Sequence, residues 1–394
     1  MLVAKELKPK LLNNMHQITI YNLGNADTSR IDLANGRKLL IDYANKRSAT
    51  DPADKRTDLP VQLRADLKSA KRTDYDVVAF THLDDDHTLG SSEFFELWHA
   101  ACYQGAGRVG IKELWVPAAV IVEAGCEDET RILRQEARYR LKQGRGIRVF
   151  SGPGQLTDWL AKEELTGKRD HLITDAGNLI PGFSLEADGA EFFVHSPFAS
   201  RTAGGGLAAM DRNSDALTFQ ATFLDGGRKT RMHFFSDINW QVIKSIVDVT
   251  EYYKRPERLQ WDVFKIAHHC SYKSLSSEKG DEITVPDAAV RRLFETYGQS
   301  RGLLISTSKP IPTDDSDKQP PHRQAAAYYK GQATRLGGEF LVTMAYKSVP
   351  YPEPIVVKID HLGASLSKLA AAATVASGNA PTPRAGNQGN QPAG

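Results

Sequence analysis

Cysteine is scarce in this chain: Cys102, Cys126 and Cys270 are the only three in 394 residues. They are odd in number, widely spaced and form no CxxC pair. That excludes a disulfide framework and fits a reducing compartment. Long apolar runs are also missing, since no segment approaches the roughly 20 apolar residues of a membrane span. The opening stretch MLVAKELKPKLLNNMH has lysines but no continuous apolar core of a secretory leader. Together these absences lead to the expectation of a cytoplasmic protein that does not engage the membrane. A charge surplus is absent too: 50 Lys and Arg face 48 Asp and Glu, for a net charge of +2. Any nucleic-acid surface must therefore be a local patch. No internal repeat of 20–50 residues is evident.

What is present is enough apolar material for a sizeable core, at 41% of residues. Residues 17–22 read as a strand, and 29–33 and 37–43 as a hairpin around Asn35-Gly36. Residues 60–72 read as a helix opened by Pro60, and 76–80 as a short buried strand. Residues 91–100 read as a helix capped by Ser91 or Ser92. In the second half, 192–195, 218–223, 231–235, 263–267 and 302–306 read as strands, and 288–297 and 323–336 as helices. This alternation predicts a layered α/β architecture. From about residue 369 the composition turns to Ala, Gly, Pro, Asn and Gln, so 369–394 reads as a disordered tail behind one domain, 1–368.

The most informative stretch is Thr81-His82-Leu83-Asp84-Asp85-Asp86-His87. Two histidines and three carboxylates crowd into six residues where a strand is expected to end. Unpaired carboxylates this close repel, and each is costly to desolvate. A divalent cation resolves both problems and takes neutral imidazoles as further ligands. More candidates follow later strands: His195 in FFVHSP, Asp237 in FFSDIN, and His268-His269 in FKIAHHCS. His16, His99, His171, His233 and His361 are read as ordinary structural histidines.

With these residues in view, HLDDDH resembles the metal signature of the metallo-β-lactamase superfamily, in the HxDxDH form of its ComEC-like, DNA-internalisation branch. The likeness extends along the chain. NLGNAD and the LID around Asp42 are similar to that branch's opening turn and hairpin. Arg212-Asn213-Ser214 resembles its NNxS strand entry, FFSDIN its LLTGDI, and KIAHHCSYKSLSSE its KVPHHGSKTSSSE. The late PPHRQAAAYYKG helix places His322 at a family position. Departures are Cys270 where the family has Gly, Ser236 for the Gly of GD, a missing second glycine in NLGNAD, and the lack of a membrane channel.

The resemblance implies an αββα sandwich binding two divalent metal ions, zinc first with manganese or iron as alternatives. It implies His82, Asp84 and His195 on one metal, and Asp86, His87 and His268 on the other. Asp237 would bridge them, with Asp42 and His269 behind the ligands. It further implies hydrolysis through an activated water, with Asp86 or Asp237 taking the proton and His322 or Lys273 stabilising developing charge. A phosphodiester in DNA or RNA is the expected substrate. A small ester, lactone or β-lactam, and a metal-binding regulatory protein acting with a protein partner, are the alternatives. Independently of the family, Arg131, Arg134, Arg138, Lys142 and Arg145 recur at helical spacing, a candidate ridge for a phosphate backbone or else a solvated face. They lie in a stretch, about 103–180, expected to be an insert. Oligomeric state is not legible.

Overall fold

The computed structural model describes residues 15–199 and 211–367. The proposed tail at 369–394 lies outside the described residues. Seven strands come first: β1 (His16–Ile20), β2 (Ser29–Asp32), β3 (Lys38–Ile41), β4 (Asp74–Ala79), β5 (Gly110–Pro117), β6 (Ile147–Phe150) and β7 (Ile173–Thr174). Six follow: β8 (Ala190–Ser196), β9 (Thr218–Asp225), β10 (Arg228–Phe234), β11 (Trp261–Lys265), β12 (Gly298–Ser306) and β13 (Glu339–Val342). Finally β14 (Ile355–Asp360) and β15 (Gly363–Leu366) return to the first sheet. The first sheet runs β15-β14-β1-β2-β3-β4-β5-β6-β7, and the second β13-β12-β11-β10-β9-β8.

Strand periodicity explains the layers. In β4, Val77 and Ala79 face the second sheet, meeting Phe192, Val194, Phe219, Met232 and Phe234 across a dry core. Val78 and Phe80 face the other way, against Leu63 of helix Leu59–Ser69 and Leu133 and Leu141 of helix Asp128–Gln143. Phe264 and Leu304 face outward from the second sheet, against Ile243, Val290, Phe294 and Tyr329 of helices Trp240–Tyr252, Ala288–Glu295 and Arg323–Leu336. The result is an αββα sandwich with three apolar layers. Each fully buried Val, Leu, Ile or Phe contributes about 1.5–3 kcal/mol to holding it.

Several sequence-predicted elements shift. The expected helix 91–100 lasts only from Ser91 to Phe94, with Gly90 rather than a serine at its cap. Phe94 and Phe95 are both buried, packed around Tyr43 and Phe80 where the helix gives way to extended chain. The chain extends instead, with Glu96 N–H bonding to Val109 O. The stretch 103–180, expected to be an insert, supplies parallel strands β5, β6 and β7 that widen the first sheet.

Candidate metal centre

One edge of the sandwich collects the carboxyl ends of β3 and β4, parallel to each other, and of β10, β11 and β12, parallel to one another. Asp42 follows β3, Thr81 and His82 follow β4, Ser236 and Asp237 follow β10, His268 and His269 follow β11, and Thr307 follows β12. Open α/β sheets place ligands at such ends. The acidic loop folds into a single turn, Asp85–Thr88, so that Asp86 and His87 face the same edge.

Asp86, His87, Asp237 and His269 present one ligand atom each within 4.8 Å of one another. His87 Nε2 is 3.4 Å from Asp237 Oδ1, and His269 Nε2 is 3.0 Å from Asp86 Oδ2 and 3.4 Å from Asp237 Oδ2. His82 Nε2, His87 Nε2 and Asp237 Oδ1 are buried without a hydrogen-bond partner among the described residues. Buried polar atoms are rarely left so, and when they converge they point to something bound.

The tautomers agree. Asp42 Oδ1 accepts from Thr81 N at 2.7 Å, and Oδ2 accepts from Thr81 Oγ1 at 2.8 Å and from His87 Nδ1 at 2.8 Å. A carboxylate only accepts, so the His87 proton is on Nδ1. Thr81 has spent its hydroxyl proton on Asp42, and Ser236 spends its own on Thr81 Oγ1 at 2.8 Å. His82 Nδ1, 3.2 Å from both hydroxyl oxygens, must then donate. His269 Nδ1 donates to Thr307 O at 2.8 Å. Three imidazoles are thus oriented with Nδ1 protonated and Nε2 turned to the centre, the arrangement that metal-ligating histidines take.

Electrostatics point the same way. Burial would depress His269, but the Asp237 charge and the hydrogen bond with Asp86 outweigh it and raise it to about 9. His87 is raised against burial by Asp42 and Asp237. Asp86 and Asp237, despite burial, are held below the usual carboxylate range, Asp86 first by its hydrogen bond with His269 and Asp237 first by the charge of His269. Asp27 adds a further carboxylate, its Oδ2 3.7 Å from His87 Nε2, and is balanced by the buried Lys265, whose Nζ donates to Asp27 Oδ2 at 2.5 Å and to Phe235 O at 2.9 Å. Protons on imidazoles neutralise this edge; a divalent cation would do so in their place.

His195 is not brought to this edge. Along β8, Phe192 and Val194 face the inter-sheet core, so His195 points to the opposite face, packing on Phe193, His233 and Phe235 and bonding Arg258 O at 3.0 Å. Burial holds it neutral, and it lines a separate cavity of about 250 Å³. The order within the His268-His269 pair is also the reverse of that expected. Three successive left-handed residues, His268, His269 and Cys270 at φ 49°, 50° and 67°, turn His269 inward. His268 stays at the rim, its Nε2 3.8 Å from Asp237 Oδ2. Backbone strain of this kind recurs at functional sites. Cys270 packs in the outer core, and burial pushes its thiol up, so it offers no thiolate.

Asp84, at the mouth, has Oδ2 3.5 Å from His82 Nε2 but gives Oδ1 to Arg212 at 2.9 Å. His322 engages both ring nitrogens, with Tyr272 N at 3.4 Å and Lys318 O at 3.3 Å, and burial lowers it. That leaves it no spare nitrogen for a substrate oxygen. Lys273 is exposed nearby. The basic ridge is largely spent within the protein. Arg134 and Arg138 donate to Glu123 O and Ile121 O, and Lys142 pairs with Glu163 at 2.7 Å. Arg145 lies beyond the Gly144 cap, over Trp98. Arg131 remains exposed. The signals that sequence reading passed over were Lys265, a lysine inside the apolar strand WDVFK, and the hydroxyls of Thr81, Ser236 and Thr307.

No protein-family model matches the chain, and no curated protein does. Solved structures that resemble it include a diphosphatase from the PhnP family, 11% identical over 78% of this chain and 92% of that one, at TM-score 0.32. The metallo-beta-lactamase GOB-18 from Elizabethkingia meningoseptica is 14% identical over 75% and 96%, at TM-score 0.30. A long form RNase Z from yeast is 11% identical over 77% of this chain and 39% of that one, at TM-score 0.32. At these scores they are likenesses only.

Proposed function

We propose that this chain is a metal-dependent hydrolase of the metallo-β-lactamase superfamily, with a phosphodiester in nucleic acid as its substrate class. The observation that carries the metal-dependent part is the convergence of Asp86, His87, Asp237 and His269, with His87 Nε2 and Asp237 Oδ1 buried and unpaired among the described residues and both imidazoles held through Nδ1. The donor set fits a divalent cation: two imidazoles and two carboxylates suit zinc, and the carboxylate share suits manganese or iron as well. A bound ion would supply Lewis-acid polarisation of a substrate oxygen and lower the pKa of an attacking water. The phosphodiester assignment rests on the sequence resemblance, since the basic ridge is mostly engaged internally.

The chain's own residues divide the work. Asp237 spans the cluster, Oδ1 toward His87 and Oδ2 toward His269, and is placed to hold the ion from its centre. Asp42, Thr81, Ser236 and Thr307 fix the imidazoles. Lys265 forms a buried ion pair with Asp27 beside His87. The test is incubation of the protein with single- and double-stranded DNA and RNA under zinc or manganese, beside an Asp86→Ala control. Metal-dependent cleavage absent from the control supports the reading; bound metal without cleavage of any polymer removes nucleic acid as the substrate.

A further inference from the structure

The two sides of the centre are unequal, and we propose that the chain binds one divalent ion tightly at Asp86, His87, Asp237 and His269, and a second weakly beside His82 and Asp84, because Arg212 competes with that ion for Asp84. This rests on the metal-centre reading above and refines it.

On the tight side four ligand atoms already lie within 4.8 Å of one another. On the other side the donors are fewer and contested. His82 offers a buried, unpaired Nε2. Its expected partner His195 faces the outer core, bonded to Arg258 O. Asp84 is within 3.5 Å of His82, but its Oδ1 is paired with Arg212 Nη1 at 2.9 Å. Arg212 is held there from its far edge, where Nε and Nη2 both bond Glu123 Oε1 at 2.7 Å. Glu123 directly follows helix Ala118–Val122, whose residues 118–121 are buried, so the clamp has a firm base.

A second ion next to His82 must therefore share Asp84 with a guanidinium or displace it, and meets that positive charge at close range. The two side chains are about one-third exposed, 33% and 36%, so solvent screens the pair and the competition is partial. A unit charge against a divalent ion a few ångströms apart still changes affinity by about tenfold at high dielectric.

The test is calorimetric titration of the full chain with zinc and with manganese, and metal counting after dialysis, with no substrate present. Wild type should keep one ion through dialysis and bind a second with at least about tenfold weaker affinity. Arg212→Gln should tighten the second step by about tenfold and leave the first unchanged. Retention of the first ion also reports that the variant is folded. Arg212→Lys keeps the charge without the fork and should fall between the two. Two ions of equal affinity in wild type, or an unmoved second step in Arg212→Gln, would overturn the proposal while leaving the metal centre standing. Binding of no ion by wild type would remove both.

Discussion

Asp42→Asn is the sharpest probe of how the centre is held. Asp42 is buried and accepts three hydrogen bonds, two from Thr81 and one from His87 Nδ1. Its backbone is left-handed, at φ 59°, a conformation that asparagine tolerates, so the replacement tests the side chain and not the turn. An asparagine keeps one acceptor for Thr81 N, but its amide turns N–H groups toward two donors, Thr81 Oγ1 and His87 Nδ1. Either His87 exchanges its proton to Nε2, or the Thr81 hydroxyl rotates and releases the chain that fixes His82. Loss of a partner behind a metal-ligating histidine costs about 10- to 100-fold in metal affinity, or roughly 1.4–2.7 kcal/mol. Leaving buried donors unpaired adds about 1–3 kcal/mol to the loss of fold stability. Titration calorimetry with zinc reads the first number, and thermal melting of the metal-free protein reads the second. A folded Asp42→Asn variant with wild-type metal affinity would refute the orientation argument.

Other expectations follow from the same geometry. His269→Ala should weaken metal binding at least about tenfold more than His268→Ala, since only His269 is tied into the inner group; equal losses would reverse that ranking. His195→Ala should cost about 1–3 kcal/mol in chemical denaturation through lost packing and an orphaned Arg258 carbonyl. Its metal stoichiometry should stay at the wild-type value, and a missing ion would return His195 to the centre. In metal-free protein His269 is raised to about 9, so its contribution to stability is complete below the unfolded value of about 6.5 and is lost as pH climbs through 9. Melting temperature at pH 9.5 should accordingly fall below that at pH 6.5, while a flat profile would show that the Asp86 and Asp237 charges are not coupled to it. For the same reason zinc binding near pH 7.5 should release protons, visible as a buffer-dependent heat.

Much of this was legible in the chain. The carboxylate-histidine loop, Asp237 after FFS and the HH pair after an apolar strand point to one edge of the sheets, where the structure gathers Asp86, His87, Asp237 and His269. The Arg323–Leu336 helix and the Asn35-Gly36 hairpin follow from local signals. What was not legible depends on direction. FFVHSP shows a histidine near a strand end, but only the register of β8 reveals that it shares a face with Phe193 and not with Val194. His268 and His269 are adjacent, and three left-handed residues decide which turns inward. The basic ridge has helical spacing, yet spacing does not show that Arg134 and Arg138 donate to the carbonyls at 123 and 121 and that Lys142 pairs with Glu163. Lys265 stood in plain view as a cation within an apolar strand, a signal whose meaning appears only with Asp27 beside it.

Whether Asp86, His87, Asp237 and His269 hold a divalent ion is read out by anomalous diffraction from zinc-soaked crystals. A peak is expected about 2.0–2.2 Å from His87 Nε2, His269 Nε2 and carboxylate oxygens of Asp86 and Asp237. A zinc-loaded crystal with no peak among these four residues, or with one at His195 in their place, would contradict it.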